Sequence, residues 1–372
     1  MGVKIVFTGG GTGGHIFPIV AVARELRRLH FGDDLELFYY GPEDNFASTV
    51  LSQEGIKIKI IPGGKIRRYF SFSNFTDIVF KIPWGIFRAF ISLFFLWPDV
   101  IFSKGGYGSL PTVLAGRMLR VPVFLHESDV SPGLANRFLS RFALEVFTSF
   151  PKTEYFSSRK MTLVGNPIRK ELLEGSAKEA EELLKLTGEK PVVLIFGGSQ
   201  GAQKINEMLF SVLKEFLEYF EIIHQCGSKN YEDAKQLVLA TTDPDIRKHY
   251  HLYPFLKESD LRQAYQAADV IVSRAGSGSI FEIAALGKPS ILIPIAGSAQ
   301  NHQEKNAYTY AATGASIVIE ETSLTPGFFL EKLRFLVTST DTMDRMSQKA
   351  LAFAKPRAAH IMASYILEYL KI

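Results

Sequence analysis

The sequence predicts an α/β protein made of two Rossmann-like, doubly wound domains. Two observations carry this: a strand, glycine turn, helix pattern that occurs four times, and an internal repeat that maps one half of the chain onto the other. The closer echo sets Asp99-Val-Ile-Phe-Ser-Lys-Gly-Gly-Tyr-Gly-Ser109 against Asp269-Val-Ile-Val-Ser-Arg-Ala-Gly-Ser-Gly-Ser279, matching at the Asp, Val, Ile, Ser, two Gly and final Ser positions. A chain of 372 residues with 47% hydrophobic and 22% charged residues supplies two cores and excludes a disordered or collagen-like protein. Its 42 basic and 38 acidic residues, net +4, are too mild a balance over the whole surface to indicate a nucleic-acid binder and leave room only for a local basic patch. The single cysteine, Cys226, excludes an intramolecular disulfide and a cysteine zinc cage, suits a reducing compartment, and reads as a small buried apolar residue.

In chain order, Val3 to Phe7 is a short apolar run, Gly9 to Gly14 is almost all glycine, and Pro18 opens a stretch with Ile19, Val22, Ala23, Leu26 and Leu29 on one side. The first run is too short for a signal peptide, and Val6 breaks the myristoylation pattern. The pattern returns at Val192 to Phe196, Gly197-Gly-Ser-Gln-Gly201 and a helix carrying Ile205, Met208, Leu209 and Leu213, 188 residues on. The closer echo is offset by 170, so the first half holds 18 extra residues between its glycine turns. Lys65 to Trp97 is the candidate insertion: Lys65, Arg67, Arg68, Lys81 and Arg88 face one acid, Asp77, amid eleven aromatics that include both tryptophans. Its most lipid-like part, Ile82 to Trp97, carries Pro83 and Arg88 and falls short of the roughly 20 apolar residues of a spanning helix. The body of the protein is therefore expected in the cytoplasm.

Both echoes run on into apolar strands, Val121 to Leu125 and Ser290 to Ile293. Val164-Gly165-Asn166-Pro167 reads as a hinge and Lys170 to Lys190 as a solvated helix and connector. After Pro356, Ile361, Met362, Tyr365, Ile366, Tyr369 and Leu370 fall at helical spacing, predicting a terminal helix that packs back on the first domain. The expected domains are residues 1–164 with the helix 356–372, and residues 165–355.

Glycine turns at helix starts present backbone amides and partial positive charge to phosphate oxygens. Gly9-x-Gly11-x-x-Gly14 satisfies the dinucleotide fingerprint, with Asp33, Asp34 and Glu36 at the distance of a ribose contact. Gly197-x-Ser199-x-Gly201 satisfies the nucleophile-elbow pattern, but Gly11 stands where Ser199 sits in the other half, which favours a ligand loop. At Gly276 to Gly287, Ser277, Gly278 and Ser279 offer amides at a helix start, and Glu282, expected in the first turn, could hold two ribose hydroxyls. Ser279-x-x-Glu282 reads equally as a capping box. There is no Walker A lysine pattern, and His126-Glu127-Ser128-Asp129-Val130 is not the two-histidine zinc motif. Asp243-Pro-Asp245 reads as a turn, His249 and His251 as surface residues, and no metal or cofactor is expected.

Together, Gly9-Gly-Gly-Thr-Gly-Gly-His15 with Pro18, Gly105-Gly-Tyr107, His126-Glu127, Gly165-Asn-Pro-x-Arg169, Gly197-Gly-Ser-Gln-Gly-Ala202, Glu282-Ile-Ala-Ala-x-Gly287, His302-Gln303 and Asn306-Ala307 are a specific set. They resemble the MurG family of bacterial UDP-N-acetylglucosamine:N-acetylmuramyl-(pentapeptide) pyrophosphoryl-undecaprenol N-acetylglucosamine transferases, over most of the chain. The resemblance implies a GT-B glycosyltransferase architecture with two domains facing a cleft, the first binding the lipid-linked acceptor and the membrane, the second binding UDP-N-acetylglucosamine. It implies inversion, a β-1,4 link and the product lipid II.

Residue by residue, the resemblance implies Thr12, Gly13, Gly14, His15, Arg169, Ser199, Gln200, Leu256, Gly276, Ser277, Gly278, Ser279, Glu282, His302 and Gln303 on the UDP-sugar side. Of these, Glu282 would bind ribose, Ser199 and the Gly276 to Ser279 amides the diphosphate, the Leu256 backbone uracil, and His302 and Gln303 the sugar hydroxyls. Gly11, Gly105, Gly106, Tyr107, His126 and Asp129 would meet the acceptor. The family's usual His-Glu-Gln-Asn reads His126-Glu127-Ser128-Asp129 here, and the stretch after Phe255 is two residues longer than the common pattern.

The reaction needs a base near pH 7 and stabilisation of diphosphate charge. His15 fits the first, being kept neutral at a helix start, with Glu127 or a substrate-positioned water as alternatives; the Gly276 to Ser279 helix start fits the second without a metal. Trp84, Phe87, Ile91 and Phe94 recur at helical spacing and are expected to enter the membrane interface while nearby cations meet anionic headgroups. Partners are then UDP-N-acetylglucosamine, the undecaprenyl-linked muramyl-pentapeptide, the cytoplasmic membrane face and other cell-wall synthesis proteins. The rival readings are a UDP-sugar transferase with another glycolipid acceptor, a nucleotide-dependent oxidoreductase or epimerase, and a non-catalytic nucleotide-binding module.

Overall fold

The computed structural model describes residues 2–10, 12–32, 34–64, 77–151, 155–198 and 201–371. It divides into two compact units, residues 1–169 with 355–372, and residues 170–354. The first unit thus runs on to Arg169, and Gly165-Asn166-Pro167 lies inside it.

Each unit is built on a parallel sheet. The first contains β1 (Val3–Thr8), β2 (Leu35–Gly41), β3 (Lys57–Ile60), β4 (Val100–Ser103), β5 (Val123–Glu127), β6 (Glu145–Thr148) and β7 (Met161–Leu163), in the order β3-β2-β1-β4-β5-β6-β7. The second contains β8 (Val192–Phe196), β9 (Glu221–Gln225), β10 (Tyr250–Tyr253), β11 (Val270–Ser273), β12 (Ser290–Leu292) and β13 (Ser316–Val318), in the order β10-β9-β8-β11-β12-β13. The central strands are continuous runs of buried apolar residues because helices cover both faces. In both sheets the order reverses beside the first strand, between β1 and β4 and between β8 and β11. Such a reversal opens a crevice at the carboxyl ends of the strands, where α/β sheets bind ligands.

The internal repeat reproduces interactions as well as residues. The Lys4 N–H donates to the Asp99 carboxylate at 2.8 Å, and the Val192 N–H donates to the Asp269 carboxylate at the same distance. Each aspartate thereby caps the entry of the strand that its own strand will pair with.

The core of the first unit packs the Gly13–Leu29 helix, through Ile16, Ile19, Val20 and Ala23, against the sheet and against Met362, Ala363 and Ile366 of the Ala358–Leu370 helix. The other face of the sheet is covered by the Ile82–Leu96 and Leu110–Met118 helices. Of the insertion, Lys65 to Thr76 lies outside the described residues. The stretch Val79–Leu96 is, by length and composition, apolar enough to cross a membrane, which corrects the expectation that it falls short. The helical path begins upstream of Ile82, at Asp77, and adds apolar residues. It is nonetheless half a core helix: Gly85, Ala89 and Leu93 are buried, while Trp84, Phe87, Ile91, Phe94 and Phe95 are exposed. Trp84 stacks on Phe87 at 5.6 Å, and Phe94 packs edge-on to Phe95 and Trp97.

Candidate active site

At the reversal of the first sheet three loops meet, following β1, β4 and β5. His15 is the third residue of the Gly13–Leu29 helix, and its Nδ1 lies 2.8 Å from the Thr12 hydroxyl. Its Nε2 faces Gly106, where a Cβ would lie only 3.0 Å away. Gly105 and Gly106 both hold positive φ, 85° and 81°, and a side chain at Gly105 would overlap the Asn136 amide. These glycines are thus explained by close approach: one makes room for a histidine ring, the other for an asparagine.

Burial, and then the charge of Lys104, push the His15 pKa down to about 3. The ring is neutral at pH 7, as the sequence predicts, but burial and a neighbouring cation are the causes. If Nδ1–H donates to Thr12, the Nε2 lone pair is left free to accept a proton.

Glu127 ends β5 in the interior. Its carboxyl accepts from the Asp129 N–H at 2.9 Å, the Gly133 N–H at 3.3 Å and the Asn136 side-chain amide at 2.8 Å. Burial and the adjacent Asp129 charge raise it to about 7 despite those bonds. Lys104 lies buried in the same region, its pKa lowered by burial and supported by Glu127 and Asp129. Among the described residues no hydrogen bond or ion pair holds its ammonium. The sequence reading missed Lys104; the signal was its alignment with Arg274 in the repeat.

The structure places several of the expected site residues in the interior. His126 is fully buried, with Nε2 3.1 Å from the Ser149 hydroxyl and 3.3 Å from the Gly165 carbonyl, so it braces the β5 end. Gly105 is likewise packed on Asn136, whereas Tyr107 is exposed. Arg169 is buried, its guanidinium 4.0 Å above the Phe17 ring inside the first unit. Of the fingerprint's carboxylates, Asp34 bonds His30 and Glu36 bonds Lys57. Gly11 and Asp33 lie outside the described residues.

At the reversal of the second sheet, the Ser277–Ala285 helix starts from Gly276, and the amides of Ser277, Gly278 and Ser279 have no acceptor within the helix. A Cβ at Gly276 would meet open space. The helix cap is a glycine, so no capping box forms between Ser279 and Glu282. Glu282 falls in the second turn rather than the first and accepts from the Tyr265 hydroxyl at 2.8 Å. Arg274, just before this turn, donates to the Ile293 carbonyl and to Glu321.

His302 and Gln303 open the His302–Ala311 helix, and the Gln303 side-chain oxygen accepts from the Ile295 N–H at 3.1 Å. The Leu256 N–H donates to Gln225 Oε1 at 2.8 Å. Ser199 and Gln200 lie outside the described residues. His249 and His251 are not surface residues: His249 is buried beside Thr187, and His251 bonds the buried Glu221 at 2.7 Å. The charge of Glu221, at the head of β9, hid that interior cluster from a hydropathy reading.

These two sites define the class. The protein is a two-domain GT-B glycosyltransferase: residues 5–148 match the glycosyltransferase family 28 N-terminal domain and residues 192–362 match its C-terminal domain. It is 37% identical over 365 residues, 97% of this chain and 99% of the relative, to the UDP-N-acetylglucosamine--N-acetylmuramyl-(pentapeptide) pyrophosphoryl-undecaprenol N-acetylglucosamine transferase of Clostridium kluyveri. The crystal structure of MurG from Acinetobacter baumannii matches with a TM-score of 0.74 and 28% identity, covering 98% of this chain and 99% of that one. The chain belongs to the MurG family. A UDP-GlcNAc 2-epimerase from Neisseria meningitidis matches with a TM-score of 0.68 over 98% of this chain and 100% of its own, but at 16% identity that likeness shows the fold alone.

Proposed function

We propose that the protein transfers N-acetylglucosamine from UDP-N-acetylglucosamine to undecaprenyl-pyrophosphoryl-N-acetylmuramyl-pentapeptide, with inversion, to give lipid II. The observation that carries this reading is the 37% identity along essentially the whole length of a transferase of that name, with the chemistry of both sheet reversals to match. In the first unit, His15 Nε2 takes the acceptor hydroxyl proton while Glu127 and Lys104 set the local charge. In the second, the Ser277, Gly278 and Ser279 amides receive the charge that develops on the leaving UDP, and Glu282 holds the ribose. Amides at a helix start stabilise the leaving group, so no step calls for a metal.

Membrane attachment through the exposed face of the Ile82–Leu96 helix completes the reading. An undecaprenyl chain stays in the bilayer, and Trp84, Phe87, Ile91 and Phe94 present the apolar surface that reaches it. Exposed Arg88 on the same helix favours anionic headgroups, at about 1 kcal/mol per cation near the surface.

Labelled-sugar transfer to the lipid-linked acceptor, with and without EDTA, tests the reaction: undiminished transfer in EDTA is expected. UDP binding without transfer would move the acceptor to another glycolipid. Cosedimentation with anionic vesicles tests attachment, and Trp84→Ala combined with Phe87→Ala should lower it several-fold; unchanged cosedimentation would remove the helix from that role.

A further inference from the structure

His224 and Gln225, which end β9, and Cys226 after them take no part in the chemistry above, yet the loops of the donor side are tied to them. The Gln225 side chain is buried and spans two segments: its Nε2 donates to the Gly198 carbonyl at 2.8 Å, and its Oε1 accepts from the Leu256 N–H at 2.8 Å. The Gly198 carbonyl also accepts from the Gly201 N–H at 3.1 Å, closing the turn after β8. That turn is pressed onto the strand end, since a Cβ on Gly201, whose φ is 79°, would lie 2.2 Å from the Cys226 carbonyl oxygen.

His224 supports the same arrangement from below. Its Nδ1 lies 2.6 Å from the Tyr250 hydroxyl and its Nε2 3.0 Å from Asn206 Oδ1, and the Asn206 amide donates back to the Cys226 carbonyl at 2.9 Å. Asn206 belongs to the Gln203–Ser211 helix that the glycine turn opens into. Burial holds His224 neutral, pushing its pKa down to about 3, so this support does not change with pH near neutrality.

A primary amide donates to a carbonyl and accepts from an N–H at the same time. At Gln225 those two valences connect the turn that faces the diphosphate with the segment that faces the base. We infer that Gln225 is a positioning residue that holds Gly198, after β8, and the Phe255-Leu256 segment in one register, so that base and diphosphate are recognised as a single unit. The inference rests on the donor site proposed above.

Gln225→Glu separates the two arms. The introduced carboxylate keeps an acceptor for Leu256 but offers no donor to Gly198; when protonated, it regains one. At pH 8 the Kd for UDP and the KM for UDP-N-acetylglucosamine should rise about tenfold. Both should return toward the parent values as the pH falls to 6, while uridine affinity and the acceptor KM stay unchanged. Gln225→Met, which fills the space with neither arm, should weaken UDP at every pH, with its thermal midpoint recorded to confirm folding. If the glutamate variant binds UDP as the parent does at pH 8, or if donor and acceptor KM rise together, Gln225 is only a structural residue. A parent protein that fails to bind UDP would instead overturn the donor site itself.

Discussion

Lys104 and Arg274 occupy the same position in the two halves of the chain, each following the strand of the repeated motif, and the molecule uses them in opposite ways. Arg274 is locked, donating to two backbone carbonyls and to Glu321, whose carboxyl burial would raise but which that arginine holds below its usual range. Lys104 is buried with no bonded partner among the described residues, near Glu127, Asp129 and His15. One cation is a scaffold that stiffens a turn and leaves neighbouring amides open. The other is a charge kept available beside titrating groups. In the function proposed above, proton chemistry falls to the half with Lys104 and anion binding to the half with Arg274, although the aspartates that open the two motifs make the same bond.

The largest effect expected from this division is on rate. His15→Ala should lower kcat roughly 100- to 10,000-fold with UDP affinity unchanged, while Glu282→Ala should mainly weaken UDP. Transfer kinetics beside UDP titration would read this, and equal effects of both variants on UDP would erase the distinction. Next comes stability: Arg274→Met leaves Glu321 to Lys204 and the Ala296 N–H and should cost about 3 kcal/mol, whereas Lys104→Met should cost nothing and raise the denaturation midpoint. Chemical denaturation of the two variants side by side checks the contrast.

Lys104→Met should also move the acid limb of the kcat/KM profile to higher pH, because removing that positive charge lets Glu127 and His15 hold their protons longer. The smallest effect concerns Glu127 and stability. Its carboxyl is raised to about 7 in the folded protein from 4.5, so the folded state binds the extra proton and stability falls as pH rises through that window. Thermal midpoints between pH 5 and 8 should show this slope, reduced in Glu127→Gln.

The sheets, turns and repeat were legible because glycine and apolar periodicity are local signals, and the helix start at Gly276 followed directly. Partnerships across the sheet were not. Asn136 reaches Glu127 and Gln225 reaches Leu256 because strand order brings distant loops together, and no spacing in the sequence encodes that order. The resemblance sets His126 against the acceptor and Glu127 among the candidate bases. Alternation along β5 instead sends the two side chains to opposite faces, one to Ser149 and the other to the loop. The Leu256 backbone N–H, likewise, is bonded by a glutamine 31 residues away, a partnership visible only in three dimensions.

The Ala358–Leu370 helix completes the core of the first unit, yet in the chain it follows the whole of the second. During synthesis, residues 170–354 can close their own core as they emerge, while the first unit waits for its last helix. Gly165 and Lys355 are packed against one another where the chain leaves and re-enters that unit. Joining Arg169 to Lys355 through a short linker should therefore yield a free-standing first unit. Removing residues 358–370 should leave it a chaperone-dependent nascent chain with an unsealed hydrophobic face.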